Sequence, residues 1–144
     1  MIEELGDYAF YLVAVRSIFS PGFGDAWNVQ KPIKALLPSV NCAELMRLGG
    51  HFWDVVKRIV IYRKPADAPD SKYAGSTLNQ VAIRLLGEME DRFHALCFHY
   101  GVSLEDVLEA NWNKLANADT GRYASGSYSD EQAQERRDER RTKV

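Results

Sequence analysis

Apolar residues along this chain recur at intervals of three and four, the spacing that places side chains on one stripe of an α-helix. Over 2–19 the stripe is Leu5, Ala9, Leu12, Val13 and Ile18, and "SPGFG" ends it with proline and glycine. Over 41–62 it is Leu45, Leu48, Phe52, Val55, Val56, Ile59 and Val60. The following "RKPADAPDSKYAGS" reads as a loop from its proline, glycine, aspartate and serine content. A further long helix is predicted over 77–100, ended by Gly101, which tolerates the left-handed conformation of a helix terminus. Another is predicted over 103–117. It opens on the capping box "SLED", in which the Ser103 hydroxyl accepts from a free backbone N–H and Asp106 reaches back. Between the first two helices, Trp27, Val29, Ile33, Leu36 and Leu37 call for burial, but Pro32 and Pro38 restrict any helix to short pieces. After the loop "NADTGRYASGSY", the capping box "SDEQ" opens a polar terminal helix over 129–144. Its five acidic and five basic residues suit a solvated surface with i,i+4 pairs. No stretch alternates with the period of a strand; "RIVIY" is β-branched but continues a helical stripe. The predicted fold is all-α, a helical bundle of 4–5 main helices.

Composition narrows the functional classes. A chain of 144 residues is enough for one sizeable core. A formal net charge of −2 supplies no global attraction for a nucleic-acid polymer or an anionic membrane. No apolar run approaches the roughly 20 residues that span a bilayer. Glu3, Glu4 and Asp7 stand where a secretory leader needs positive charge. Cys42 and Cys97 lack zinc-site spacing, sit in apolar helical contexts and are expected to be buried free thiols. Together these features predict a cytoplasmic protein with no membrane partner.

The chemistry-bearing residues form two groups. Glu4 and Asp7 are three apart and share a helix face, and Glu88 and Asp91 repeat that spacing in "GEMEDRFHAL". Carboxylates turned into a bundle are how oxygen sites for a hard dication are built. The plainer reading, acids in a first turn favoured by the helix dipole, suits Glu3 and Glu4 but not the mid-helix pair. The second group comprises Asn111, Lys114, Arg122 and Arg136, around "NWNKL" and "GRYASGSYSDEQAQERRDE". These can gather donors around a phosphate chain, or simply form a solvated face. His51, His94 and His99 make no pair at ligand spacing and read as core or surface histidines. There is no nucleophile elbow, glycine-rich phosphate loop or dinucleotide fingerprint.

Three stretches together resemble the MazG-like, all-α nucleoside triphosphate pyrophosphohydrolases, in particular the short phage and bacterial forms. They are "EELGDYAFYL" at the start, "SLEDVLEANWNKL" over 103–115 and "RYASGSYSDEQAQERRDE" over 122–139, in the family's order. The resemblance implies a bundle in which acidic side chains hold Mg²⁺, or Mn²⁺ in its place, on a triphosphate. Water then cleaves between the α and β phosphates, giving nucleoside monophosphate and pyrophosphate. It implies Glu4, Asp7 and Glu88 as catalytic carboxylates, and Glu3, Glu4, Asp7, Glu88, Asp91 and Asp54 as the metal set. It implies Lys57, Asn111, Lys114, Arg122 and Tyr123 on the nucleotide, and a homodimer or homotetramer.

The stretch "MRLGGHFWDVVKRIVIYRKP" is similar to the family's first acidic helix, with Gly50, Asp54, Lys57, Arg58, Tyr62, Lys64 and Pro65 falling into place. Its two metal-binding glutamates, however, fall on Leu48 and His51. "GEMED" aligns with "EELGD", so Glu88 and Asp91 are kept while Gly87 replaces the first glutamate. Residues 1–144 are therefore expected to form a single domain. Within it, 1–19 is a remnant acidic helix of a first repeat, 20–40 a linker and 41–144 a MazG-like repeat with its tail. The E-x-x-E partner of the first helix would lie before Met1. Two alternatives stand beside the enzyme. One is a catalytically inactive relative that binds nucleotide weakly or forms the structural half of an assembly. The other is a helical partner-binding module using 27–37.

Overall fold

The computed structural model describes residues 2–19 and 37–116. These residues are all-α, with four helices: α1 (Ile2–Phe19), α2 (Pro38–Val60), α3 (Leu78–His99) and α4 (Leu104–Leu115). Among them there is no strand, only an isolated antiparallel bridge between Pro69 and Thr77 in the α2–α3 loop. The expectations for 25–36, for the helix over 129–144 and for Arg122, Tyr123 and Arg136 lie outside the described residues; Leu37, expected to be buried, is 71% exposed at the cap position of α2.

Local chemistry sets the helix ends. Pro38 occupies the first turn of α2, where a missing N–H costs nothing, so the proline that limits the preceding segment also starts this helix. Thr77 caps α3: its Oγ1 accepts from the Gln80 N–H at 3.2 Å, and Gln80 Oε1 accepts from the Thr77 N–H at 2.9 Å. The capping box at α4 forms as expected, with Ser103 Oγ accepting from the Asp106 N–H at 3.0 Å and Asp106 accepting from the Ser103 N–H at 2.9 Å. Gly101 follows α3 with φ +66°, the left-handed position predicted for it.

The chain divides into two compact units, Met1–Phe10 with Val102–Val144, and Tyr11–Gly101. The sequence boundaries at 20 and 41 both fall inside the second unit, and α1 contributes residues to each. In the first unit, Ala9 and Val107 are fully buried. In the second, α2 and α3 pack on one another. The buried stripe of α2 is Asn41, Leu45, Leu48 and Val55; that of α3 includes Leu78, Val81, Leu85, Leu86, Met89, Phe93 and Leu96. Three members of the expected stripes behave differently. Val13, Ile18 and Val60 are exposed, because each sits off the narrow arc that its helix buries.

The α2–α3 loop is tied down by charge. Asp70, whose side chain is fully buried, accepts from Arg58 Nη1 at 2.9 Å and from the backbone N–H groups of Lys72 and Tyr73 at 2.6 and 2.9 Å. Every oxygen of this buried carboxylate is therefore partnered, which offsets its desolvation.

The two cysteines differ. Cys97 is buried as expected, and its burial pushes the thiol up to about 11. Cys42 is exposed, contrary to expectation, since it lies beside the buried Asn41 but off the inward arc of α2. A thiol-labelling time course should show one fast site, Cys42, and a second that reacts only on unfolding. Because the folded Cys97 pKa is raised, its stabilising contribution is complete below the ordinary value of 9.0 and is lost as pH rises through about 11. The fall in Tm between those values should be smaller in Cys97→Ala. Separately, Thr77→Ala should cost about 1 kcal/mol in urea denaturation through loss of the cap.

Candidate functional site

The first unit contains the best-assembled cluster among the predicted residues. On α4, Asn111 and Lys114 are three apart and share a face. Asp7, in the second turn of α1, accepts from both: from Asn111 Nδ2 at 3.1 Å, and from Lys114 Nζ at 3.0 and 3.2 Å through its two oxygens. Asn111 is buried and the Lys114 side chain is 11% exposed, whereas that of Asp7 is 40% exposed, so the carboxylate is the part that meets solvent. Glu4 is exposed one turn earlier on the same face. Glu3 lies in the first turn of α1.

Gly6 makes this geometry possible. A Cβ at that position would lie 3.0 Å from Asn111 Cβ and 3.1 Å from the Val107 carbonyl oxygen, neither of which is a flexible group. The glycine of "ELGD" is thus a close-approach residue that lets α1 and α4 meet.

The remaining predicted residues sit in the second unit and have other commitments. Asp54 accepts from Arg58 Nη2 at 2.7 Å and Lys72 Nζ at 2.8 Å, with Lys57 Nζ at 3.8 Å. Hydrogen bonds from Lys72 and Arg58 hold its carboxyl well below the usual carboxylate range. Lys57 also lies 5.5 Å from the centre of the Tyr62 ring. Glu88 is about half exposed on α3, 3.9 Å from Arg84, and Asp91 is exposed beside it. Of the two positions where the family resemblance calls for glutamate, Leu48 is 1% exposed in the core and His51 is exposed. His94 is partly buried and its pKa is lowered by desolvation, while His99 stands edge-on to Tyr100 at 5.1 Å, in keeping with structural histidines.

Sequence reasoning passed over one carboxylate, Glu90. It is 8% exposed and pairs with Arg16 Nη1 at 2.5 Å through Oε2. Its Oε1 has no hydrogen-bond partner among the described residues. Burial raises its pKa, opposed by Arg16. The clue lay in its register: Leu86, Glu90 and Phe93 follow at steps of four and three on the apolar stripe of α3.

No group of three His, Cys, Asp or Glu side chains among the described residues is arranged to hold a metal ion. Asp7 is engaged by Lys114, Asp54 by Arg58 and Lys72, and Glu88 and Asp91 belong to an exposed helix face. Among the described residues, no helix is long and apolar enough to cross a membrane. The chain matches no family model, no curated protein and no solved structure.

Replacing Gly6 by leucine should separate α1 from α4, seen as faster amide exchange at 2–10 and 104–115 while 78–99 is unchanged. Leu48→Glu, which writes the family's carboxylate back into α2, should destabilise the chain by about 3–5 kcal/mol, as expected of an unpaired buried charge.

Proposed function

We propose that this chain is a MazG-like relative that recognises a nucleoside triphosphate and belongs to the pyrophosphohydrolase class, releasing pyrophosphate. The observation that carries this reading is the meeting of two of the resembling motifs. Asp7 of "EELGD" and Asn111 and Lys114 of "NWNKL" are within hydrogen-bond distance of one another. Asn111 and Lys114, donors of the type suited to phosphate oxygens, hold the solvent-facing Asp7 carboxylate in place at this site. Arg122 and Tyr123, next along the chain, would extend the phosphate contacts, as the resemblance implies.

A second reading is favoured by Leu48 and His51: a non-catalytic relative that keeps the nucleotide contacts and serves as the structural half of a larger assembly. A core leucine where a metal ligand belongs is what such a relative would carry.

One experiment separates the two. Pyrophosphate release is measured over a panel of ribo- and deoxyribonucleoside triphosphates with Mg²⁺ or Mn²⁺, alongside thermal shift with the same nucleotides. The enzyme reading expects turnover that Asp7→Ala and Lys114→Ala each lower by about a hundredfold. A nucleotide-dependent rise in Tm without turnover supports the second reading. Neither turnover nor a shift with any nucleotide rejects both.

A further inference from the structure

The chain as a whole carries a net charge of −2, yet its charge is uneven. Between Trp53 and Tyr73 stand five cations, Lys57, Arg58, Arg63, Lys64 and Lys72, against the carboxylates of Asp54, Asp67 and Asp70. Asp54 is already engaged by Arg58 and Lys72, and Asp70 by Arg58. Arg63 and Lys64, just past the end of α2, are exposed and pair with no carboxylate among the described residues.

Arg63 is also, among the described residues, the one non-glycine residue with positive φ, +53°. That left-handed conformation suits glycine, and a residue with a Cβ adopts it at a cost. The Lys64 N–H donates to the Arg58 carbonyl at 3.0 Å and closes the helix end around this turn, which glycine at 63 would allow equally well. An arginine in such a conformation points to a use for its side chain.

Exposed aromatic rings accompany these cations. Trp53 is 61% exposed, and Lys57, one turn on, shares its face. Lys57 Nζ lies 5.5 Å from the centre of the Tyr62 ring, and Tyr62 is itself 60% exposed. Side chains on a helix lean toward its N-terminus, and the turn before Trp53 carries Gly49 and Gly50. A Cβ at Gly50 would meet nothing within 4 Å, so that position leaves open space beside the indole. Trp53, Lys57, Tyr62 and Arg63 thus alternate ring and cation along one strip.

We propose that this strip binds single-stranded nucleic acid, with bases stacked on Trp53 and Tyr62 and phosphates met by Lys57, Arg63 and Lys64. Bases of every kind stack on aromatic rings, and cations track the backbone. These contacts call on base faces and phosphates alone, so RNA and DNA are bound alike. Asp54 and Lys57 interrupt the apolar side chains between Trp53 and Val60, which suits alternating base and phosphate contacts better than insertion among acyl chains. An acidic polypeptide would satisfy the cations and leave the rings bare. The strip lies wholly within the second unit and is independent of the nucleotide reading.

The full chain is titrated into fluorescein-labelled oligouridine and oligodeoxythymidine of about 12 nucleotides, read by fluorescence anisotropy at several salt concentrations. Binding that weakens with added salt is expected. Trp53→Ala should raise Kd by about tenfold. Arg63→Gly with Lys64→Ala should raise Kd and lessen the slope of log Kd against log salt by about 1.4, the equivalent of two phosphate contacts on a single strand. All three side chains are exposed, so far-UV circular dichroism should not change. Phosphatidylserine vesicles and polyglutamate should bind more weakly than either oligomer. No binding of the oligomers at low salt, binding indifferent to Trp53→Ala, a salt slope unchanged in the double variant, or vesicles or polyglutamate bound as tightly as the oligomers would overturn the proposal.

Discussion

Leu48 on α2 and Phe93 on α3 lose essentially all contact with water, and they belong to the two buried stripes that pack the second unit. A helix of this kind has one apolar arc, and burying it against another arc is the main source of its stability. Much of what surrounds the α2–α3 pair follows from that choice. Once Asn41, Leu48 and Val55 face inward, the side of α2 that carries Met46, Trp53 and Val60 must face outward. Once the end of α2 and the start of α3 are set, the loop between them has to turn back. The Asp70 carboxylate and the Arg58 guanidinium hold that return.

The same packing decides the chemistry of the carboxylates. Asp54 and Glu90 are both acids on helices, yet their environments push them in opposite directions. Asp54 lies among Arg58, Lys72 and Lys57 and is held ionised. Glu90 is buried on the apolar arc of α3, and desolvation outweighs its pairing with Arg16. Neither is disposed as a free ligand for a dication. Asp7 differs again: it is positioned by two donors of α4 and still presents itself to solvent, a better disposition for a polar site than any carboxylate of the second unit.

In the first unit the decisive contact is steric rather than electrostatic. A residue larger than glycine at position 6 would strike Asn111 and the Val107 carbonyl. The polar cluster beside it therefore depends on an absent side chain. Gly87, its neighbour in the imperfect second copy of the motif, faces open space, and the position matching Gly6 there is Glu90. The two copies thus share letters but not geometry.

Periodicity and end chemistry alone were enough to define four helices, the loop over 63–76, the α4 cap and the terminating role of Gly101, because these depend on neighbours three or four residues away. The cap at Thr77 is equally local and is legible in "TLNQ". What lay beyond sequence was every relation between helices. Local spacing pairs Glu4 with Asp7 and Glu88 with Asp91, but only tertiary packing joins Asp7 to Lys114 across a separation of 107 residues. Packing likewise buries Glu90 in place of Glu88 and surrounds Asp54 with cations. A stripe states that a face is apolar without naming its partner, and the energy that ranks the candidate partners resides in contacts formed only when the chain is folded.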